Sequence, residues 1–323
     1  MPETVRLEAD GLGLTCHPGS GFVITAIDDI ATGANALWTR AGFVPATFQR
    51  QLGPSGEASI ETFVDLFVGG WFEMFPTTGY PGLVDGAVGP ATSLLHGEVM
   101  RLPWTIIEQD AATIEATVTT LRTPFRLTRR IELDGGVAVI RERVENIGGT
   151  AAPYVWGHHP CFSRQTFRGG RFDLDVEEAS VPALSFDREH DTLRAGVDFL
   201  FPMAPTTGDG WRDVAAIPTE ADGRHEQVTV RLRSGGVRIT APGVSRAFTL
   251  AWLARDLPYV LLWQDYAAPG AAFWGTCDTF AIEPSSAPGR SLADAVAADA
   301  LRWLGPGETV SMELRASWGP LRI

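Results

Sequence analysis

Two of the six histidines in this 323-residue chain are adjacent, His158 and His159, within Tyr154-Val155-Trp156-Gly157-His158-His159-Pro160-Cys161-Phe162. An imidazole, with an unperturbed pKa of about 6.5, can give or take a proton at neutral pH. Adjacent side chains on a strand point to opposite faces, so one of the pair can face a given pocket while the other serves packing or support. Two further segments set an ionisable residue in a strand-and-turn context: Leu94-Leu95-His96-Gly97-Glu98 and Phe280-Ala281-Ile282-Glu283-Pro284-Ser285-Ser286. Glu283 follows apolar residues and precedes a proline, which puts its carboxylate at the end of a buried strand. Desolvation there raises a carboxyl pKa towards that of a useful general base. Each residue also has a plain structural reading, His96 as a hydrogen-bonded core or surface residue and Glu283 as the cap of a turn. A zinc site from His96, His158, His159 and Cys161 has suitable ligand types. Strand alternation keeps adjacent histidines from reaching one ion, so neither a metal nor another cofactor is expected.

These residues need strands to position them. Phe125, Leu127, Ile131 and Leu133 alternate with polar residues before Asp134-Gly135-Gly136 and an apolar run over 137–140, which predicts a hairpin. Val228, Val230 and Leu232, then Ser234-Gly235-Gly236, then Val237, Ile239 and Ala241 predict a second. Further strands are expected at 22–27, 113–121, 248–253, 258–265, 279–283 and 309–318. Glycine and proline clusters at short intervals between them indicate an antiparallel sandwich or barrel. Ser291 as N-cap, Asp294 three residues on, and Leu292, Ala295, Val296 and Leu301 before Gly305-Pro306-Gly307 predict one short C-terminal helix. The 35 glycines and 22 prolines are spread along the chain, with no repeat and no linker. The expectation is an all-β chain folding as a single domain over 1–323.

Composition narrows the function. With 39 acidic and 26 basic residues the formal charge is -13, which disfavours nucleic acid as a partner. Every basic residue is arginine, which excludes Schiff-base chemistry and a lysine-dependent phosphate loop. Cys16, Cys161 and Cys277 form no C-x-x-C spacing, so a reducing compartment fits. The start Met1-Pro2-Glu3-Thr4-Val5-Arg6 lacks the features of a signal peptide, and no run of 18 apolar residues occurs, so a cytoplasmic protein without a membrane partner is expected.

The order His96-Gly97, His159-x-x-Phe162 and Ile282-Glu283-Pro284 resembles the aldose 1-epimerase (galactose mutarotase-like) superfamily. The resemblance runs nearly end to end. The segment 21–27 resembles that family's first strands, Gly69-Gly70-Trp71 and Phe75-Pro76-Thr77-Thr78-Gly79 its loop before the first histidine, and Gly305-Pro306-Gly307-Glu308 its closing turn. It implies a large antiparallel β-sandwich, and a sugar mutarotase that opens and recloses an aldose ring by acid–base chemistry. On that resemblance Glu283 matches the general base, His159 the general acid at the ring oxygen, and His96 the histidine that holds the sugar near its anomeric centre. Trp71, Phe75 and Trp263 are candidate stacking surfaces, and Asp265 is placed as the sugar-binding aspartate. Two departures stand out. No arginine lies between Arg50 and Arg101, and Met100 stands where phosphate-binding relatives carry an arginine, so a sugar without phosphate is favoured. The competing functions are a non-catalytic carbohydrate-binding sandwich, an epimerase of a phosphorylated or sulfonated hexose, and a two-carboxylate glycosidase or lyase. A monomer or homodimer would serve any of them.

Overall fold

A computed structural model describes residues 4–45, 50–79, 94–183, 191–270, 273–289 and 292–321. The first expected hairpin forms, with Phe125–Asp134 and Val137–Asn146 pairing antiparallel from Asp134↔Val137 to Phe125↔Asn146. Gly135 and Gly136 turn the chain at φ 57° and 77°, the left-handed region that a two-residue hairpin loop requires.

The second expected hairpin is instead one strand, His225–Thr240, which continues through Ser234-Gly235-Gly236. Its first half pairs with Tyr259–Tyr266 and its second half with Arg246–Trp252. A Cβ on Gly235 would lie 2.4 Å from the Trp252 carbonyl oxygen. The glycines therefore permit close backbone approach where the strand changes partners, and they do not reverse the chain.

That strand joins two antiparallel runs. One passes from Arg246–Trp252 through Thr309–Pro320, Val137–Asn146, Phe125–Asp134 and Thr113–Thr119 to Thr105–Gln109. The other passes from Tyr259–Tyr266 through Asp278–Ser285, Gly157–Ser163, Trp71–Met74, Val23–Asp29 and Leu12–His17 to Val5–Ala9. Leu127, Ile131 and Leu314 of the first run share one apolar core with Leu14, Phe162, Leu262 and Ile282 of the second. The sheet thus closes on itself as a β-sandwich, each strand alternating between the core and the outer face.

The C-terminal helix is shorter than expected, Leu292–Ala297, and Ser291 lies outside the described residues. The chain turns at Asp299, φ 52°, and Arg302–Leu304 pairs as a strand with Ala152–Tyr154. A second helix, Ala58–Leu66, was not expected. Ile60, Phe63, Val64 and Phe67 carry its i, i+3, i+4, i+7 signal. No described helix is long and apolar enough to cross a membrane.

Candidate active site

On the outer face of the second run, Gly157 pairs with Ser285 and Cys161 with Ala281. That register sets His159 opposite Glu283, and His159 Nε2 lies 3.5 Å from Glu283 Oε1. Glu283 is not at the strand's end, because Asp278–Ser285 runs on through Pro284. On the other side His159 pairs with Phe72, whose ring stacks on the imidazole at 4.6 Å and 18°. Cys161 Sγ lies 3.3 Å from His159 Nδ1. Burial, reinforced by the charge of Glu283, pushes the Cys161 thiol well up, so the sulfur keeps its proton. His159 Nε2 is the ring nitrogen that faces Glu283.

His96 comes from a turn. It adopts φ 58° and its Nδ1 accepts a 3.2 Å hydrogen bond from the Gly79 amide, which assigns its proton to Nε2. Gly97 follows at φ 76°, where a Cβ would lie 2.3 Å from the Phe75 carbonyl oxygen, so only glycine fits there. His96 and His159 meet edge-on at 5.3 Å between ring centroids. The predicted triad of Glu283, His159 and His96 therefore lines one cavity with Trp263 and Gln227, beneath a cover of Phe63, Phe67 and Phe273. This cavity measures about 50 Å³, room for roughly three to five waters at about 10–15 Å³ each.

Trp263 stands as expected in the cavity, and a relay fixes it. Its Nε1 donates to His225 Nε2 at 2.7 Å, and His225 Nδ1 lies 2.9 Å from Asp191 Oδ1. An indole nitrogen can only donate, so His225 carries its proton on Nδ1 and gives it to Asp191. Neither Gln227 nor this relay was singled out from the sequence. Gln227 pairs with Trp263 and His225 with Asp265 across the same two strands, so pairing the alternating polar residues of 225–231 with 259–265 would have found them.

The other predicted contacts lie elsewhere. Trp71 and Phe75 are fully buried in the interlayer core, on the opposite side of their strand from Phe72. Phe75 packs against Phe125 at 5.0 Å, and its carbonyl accepts the Glu98 amide at 2.8 Å, which braces the His96 turn from behind. Asp265 shares the face of Trp263 as alternation requires, but it does not line the cavity, and its Oδ1 accepts the Ala268 amide at 3.0 Å. Arg101 is buried and donates to the carbonyls of Ser59 and Leu95, at 3.0 and 3.2 Å. No arginine is among the described residues that line the cavity.

Behind the site, His158 takes the core face. Its Nδ1 accepts a 3.2 Å hydrogen bond from Trp71 Nε1, and its Nε2 lies 3.1 Å from Glu142 Oε2. Arg129 bridges Glu142 and Glu73 at 2.6 and 2.7 Å, and Trp156 Nε1 donates to Glu73 at 2.5 Å. Among the described residues no group of three or more histidine, cysteine or acidic side chains is arranged to hold a metal ion.

Comparison with known proteins places the fold. No protein-family model matches the chain, and no curated protein matches it. Solved structures do. A protein from Synechocystis sp. PCC 6803 is 17% identical with a TM-score of 0.69, covering 99% of this chain and 96% of that one. A putative aldose 1-epimerase from Escherichia coli K12 is 16% identical with a TM-score of 0.66, covering 98% and 99%. A galactose mutarotase related enzyme from Lactobacillus acidophilus is 13% identical with a TM-score of 0.65, covering 99% and 100%. The chain has the galactose mutarotase-like β-sandwich fold.

Proposed function

We propose that the protein interconverts the α and β anomers of an aldose without an anionic group, with Glu283 and His159 as its acid–base pair. The supporting observation is the 3.5 Å approach of His159 Nε2 to Glu283 Oε1 in a cavity shared with His96. Anomerisation removes the proton of the C1 hydroxyl and protonates the ring oxygen. Both oxygens belong to one carbon, so two facing groups can serve them together. Glu283 takes the C1 hydroxyl proton while His159, as imidazolium, delivers its Nε2 proton to the ring oxygen and is left neutral, its remaining proton on Nδ1 facing Cys161 Sγ. The C1–ring oxygen bond breaks, C1 becomes an aldehyde, and rotation about C1–C2 presents its other face. The ring then closes with both proton transfers reversed. His96, with its proton on Nε2, donates to a sugar oxygen near C1. Trp263 and the phenylalanine cover offer apolar faces to the ring's C–H surface.

Among the described residues that line the cavity none is an arginine, and Met100 stands where phosphate-binding relatives carry one, which favours a neutral sugar over a phosphorylated or sulfonated one. The three buried free thiols fit work in a reducing cytoplasm, within carbohydrate metabolism. The test is anomer exchange in freshly dissolved aldoses, followed by NMR or polarimetry. Glu283→Gln should lower kcat by about 10²–10⁴ with the unfolding midpoint retained. Undiminished exchange in that variant would remove the mechanism.

A further inference from the structure

We propose that Arg101 is a positioning residue, which with Ser59 clasps the His96 turn to the helix Ala58–Leu66 and so sets where His96 meets the sugar; this rests on the anomer-interconverting reading above. His96 needs such a hold. Its φ of 58° lies in the left-handed region, which a residue with a Cβ keeps only where its surroundings fix it. Its neighbour Leu95 is fixed at both backbone groups. The Leu95 amide donates to Ser59 Oγ at 3.1 Å, and the Leu95 carbonyl accepts from Arg101 Nη2 at 3.2 Å. The same nitrogen donates to the Ser59 carbonyl at 3.0 Å, so Ser59, Leu95 and Arg101 form a closed ring of hydrogen bonds. Ser59 Oγ in turn donates to the Gly56 carbonyl at 2.6 Å. Phe63 stands one turn further along the helix, and its ring meets the His96 imidazole edge-on at 4.8 Å. The clasp therefore joins the turn that carries His96 to the helix that carries part of the cavity's cover.

Stability does not account for an arginine here. The side chain is 2% exposed, its Nε and Nη1 have no hydrogen-bond partner, and no carboxylate pairs with it among the described residues. Burial and the charge of Arg122 push its pKa down to about 10, so it still carries its charge at neutral pH. An uncompensated buried cation is a poor stabiliser, and a well-packed apolar side chain of similar volume would serve a core better. What the guanidinium supplies is position. Nη2 carries two hydrogens, so one nitrogen bonds both carbonyls at once, and each bond is charge-assisted. In the proposed reaction His96 donates to a sugar oxygen near C1, and a donor displaced with Leu95 loses that bond.

The experiment compares the wild type with Arg101→Met and Ser59→Ala by two readouts. One is NMR of the His96 ring protons in the free protein, assigned by their loss in His96→Asn, which needs no sugar. The other is anomer exchange of glucose. Both variants should shift the His96 signals, through the altered approach of Phe63, while leaving those of His225 in place. Both should raise KM about fivefold, the worth of one hydrogen bond, with kcat within about twofold, because His96 contacts the sugar in ground and transition states alike. Leu314→Ala, in the interlayer core, controls for lost stability: it should lower the unfolding midpoint and move neither readout. Where Arg101→Met does not fold, Ser59→Ala decides, since it removes only a hydroxyl. Folded variants with unmoved His96 signals and unchanged KM would overturn the clasp and leave the mutarotase reading standing. Shifted His96 signals in a protein that exchanges no sugar would keep the clasp and remove the mutarotase reading.

Discussion

Replacing Glu73 by Gln should flatten the pH dependence of stability between pH 5 and 8. Glu73 is 1% exposed, and its two oxygens accept from Arg129 and Trp156. Burial pushes its carboxyl up and the nearby charge of Glu142 adds to the push. Arg129 and the Trp156 hydrogen bond offset this only in part, leaving it at about 8 against an ordinary 4.5. For Glu142 burial acts in the same direction, but His158 and Arg129 outweigh it and hold that carboxyl down at about 2. The cluster therefore shelters one carboxylate for its one arginine, with a proton on the second acid. The raised group binds more protons folded than unfolded, so its stabilisation is complete below pH 4.5 and is lost as pH climbs to about 8. Three pH units at about 1.4 kcal/mol each cap the loss at about 4 kcal/mol between pH 5 and 8. Gln does not titrate. It offers one acceptor oxygen to two donors, which costs about 1 kcal/mol at every pH. Urea unfolding followed by tryptophan fluorescence, repeated from pH 5 to 8.5, measures both curves. The variant should be the less stable protein at pH 5 and should gain on the wild type by at least about 1 kcal/mol by pH 8. Parallel curves, with a constant offset across the range, would refute a proton held on Glu73.

The division between the adjacent histidines gives a second test. His158→Ala should cost about 2–4 kcal/mol in urea unfolding, since it strips Trp71 and buried Glu142 of a partner, while kcat per folded molecule stays within about threefold; a much larger kcat loss at unchanged stability would contradict the assignment. Asp191→Asn should loosen the His225 tautomer that fixes Trp263. KM should rise severalfold with kcat nearly unchanged, because a stacking surface contacts ground and transition states alike, and an equal fall in kcat would point to a different role.

Much of the sandwich was legible because its signals are local. The 125–146 hairpin carries alternation on both arms and a two-glycine loop, and nothing in the fold overrides it. At 234–236 the same letters mean something else, because Gly235 answers to the Trp252 backbone, a neighbour that the linear sequence does not reveal. The triad was legible through motif order, but alternation alone could not say which face of a strand meets the cavity. Trp71 and Phe75 were misplaced for that reason: Phe72, of the opposite parity, is the residue that stacks on His159. Asp265 shared the right face yet sits one pair further along it than the Gln227–Trp263 pair. Gln227 and the Asp191–His225 relay depend on pairings between distant segments, which no spacing in the chain announces.

The adjacency of His158 and His159 follows from the needs of a strand buried on both faces. In the proposed reaction an acid and a base must together meet two oxygens of one carbon, which tolerates little positional error. His159 is held laterally by stacked Phe72 and by Cys161, while its strand is fixed from behind through His158, Trp71 and Glu142. The cover is built differently. Phe63 belongs to the short helix Ala58–Leu66, Phe67 follows that helix directly, and Phe273 belongs to the connection before Asp278–Ser285. These rings stand off the paired strands that carry the proposed acid and base. Because Glu283 and His159 stand on paired strands and the cover does not, a shift of these rings would leave unaltered the 3.5 Å separation on which the proposed proton transfer depends. In the proposed reaction, a sugar arriving beneath this apolar cover expels the few waters beside Glu283. The carboxylate then meets the C1 hydroxyl in a drier setting, where its charge acts more strongly.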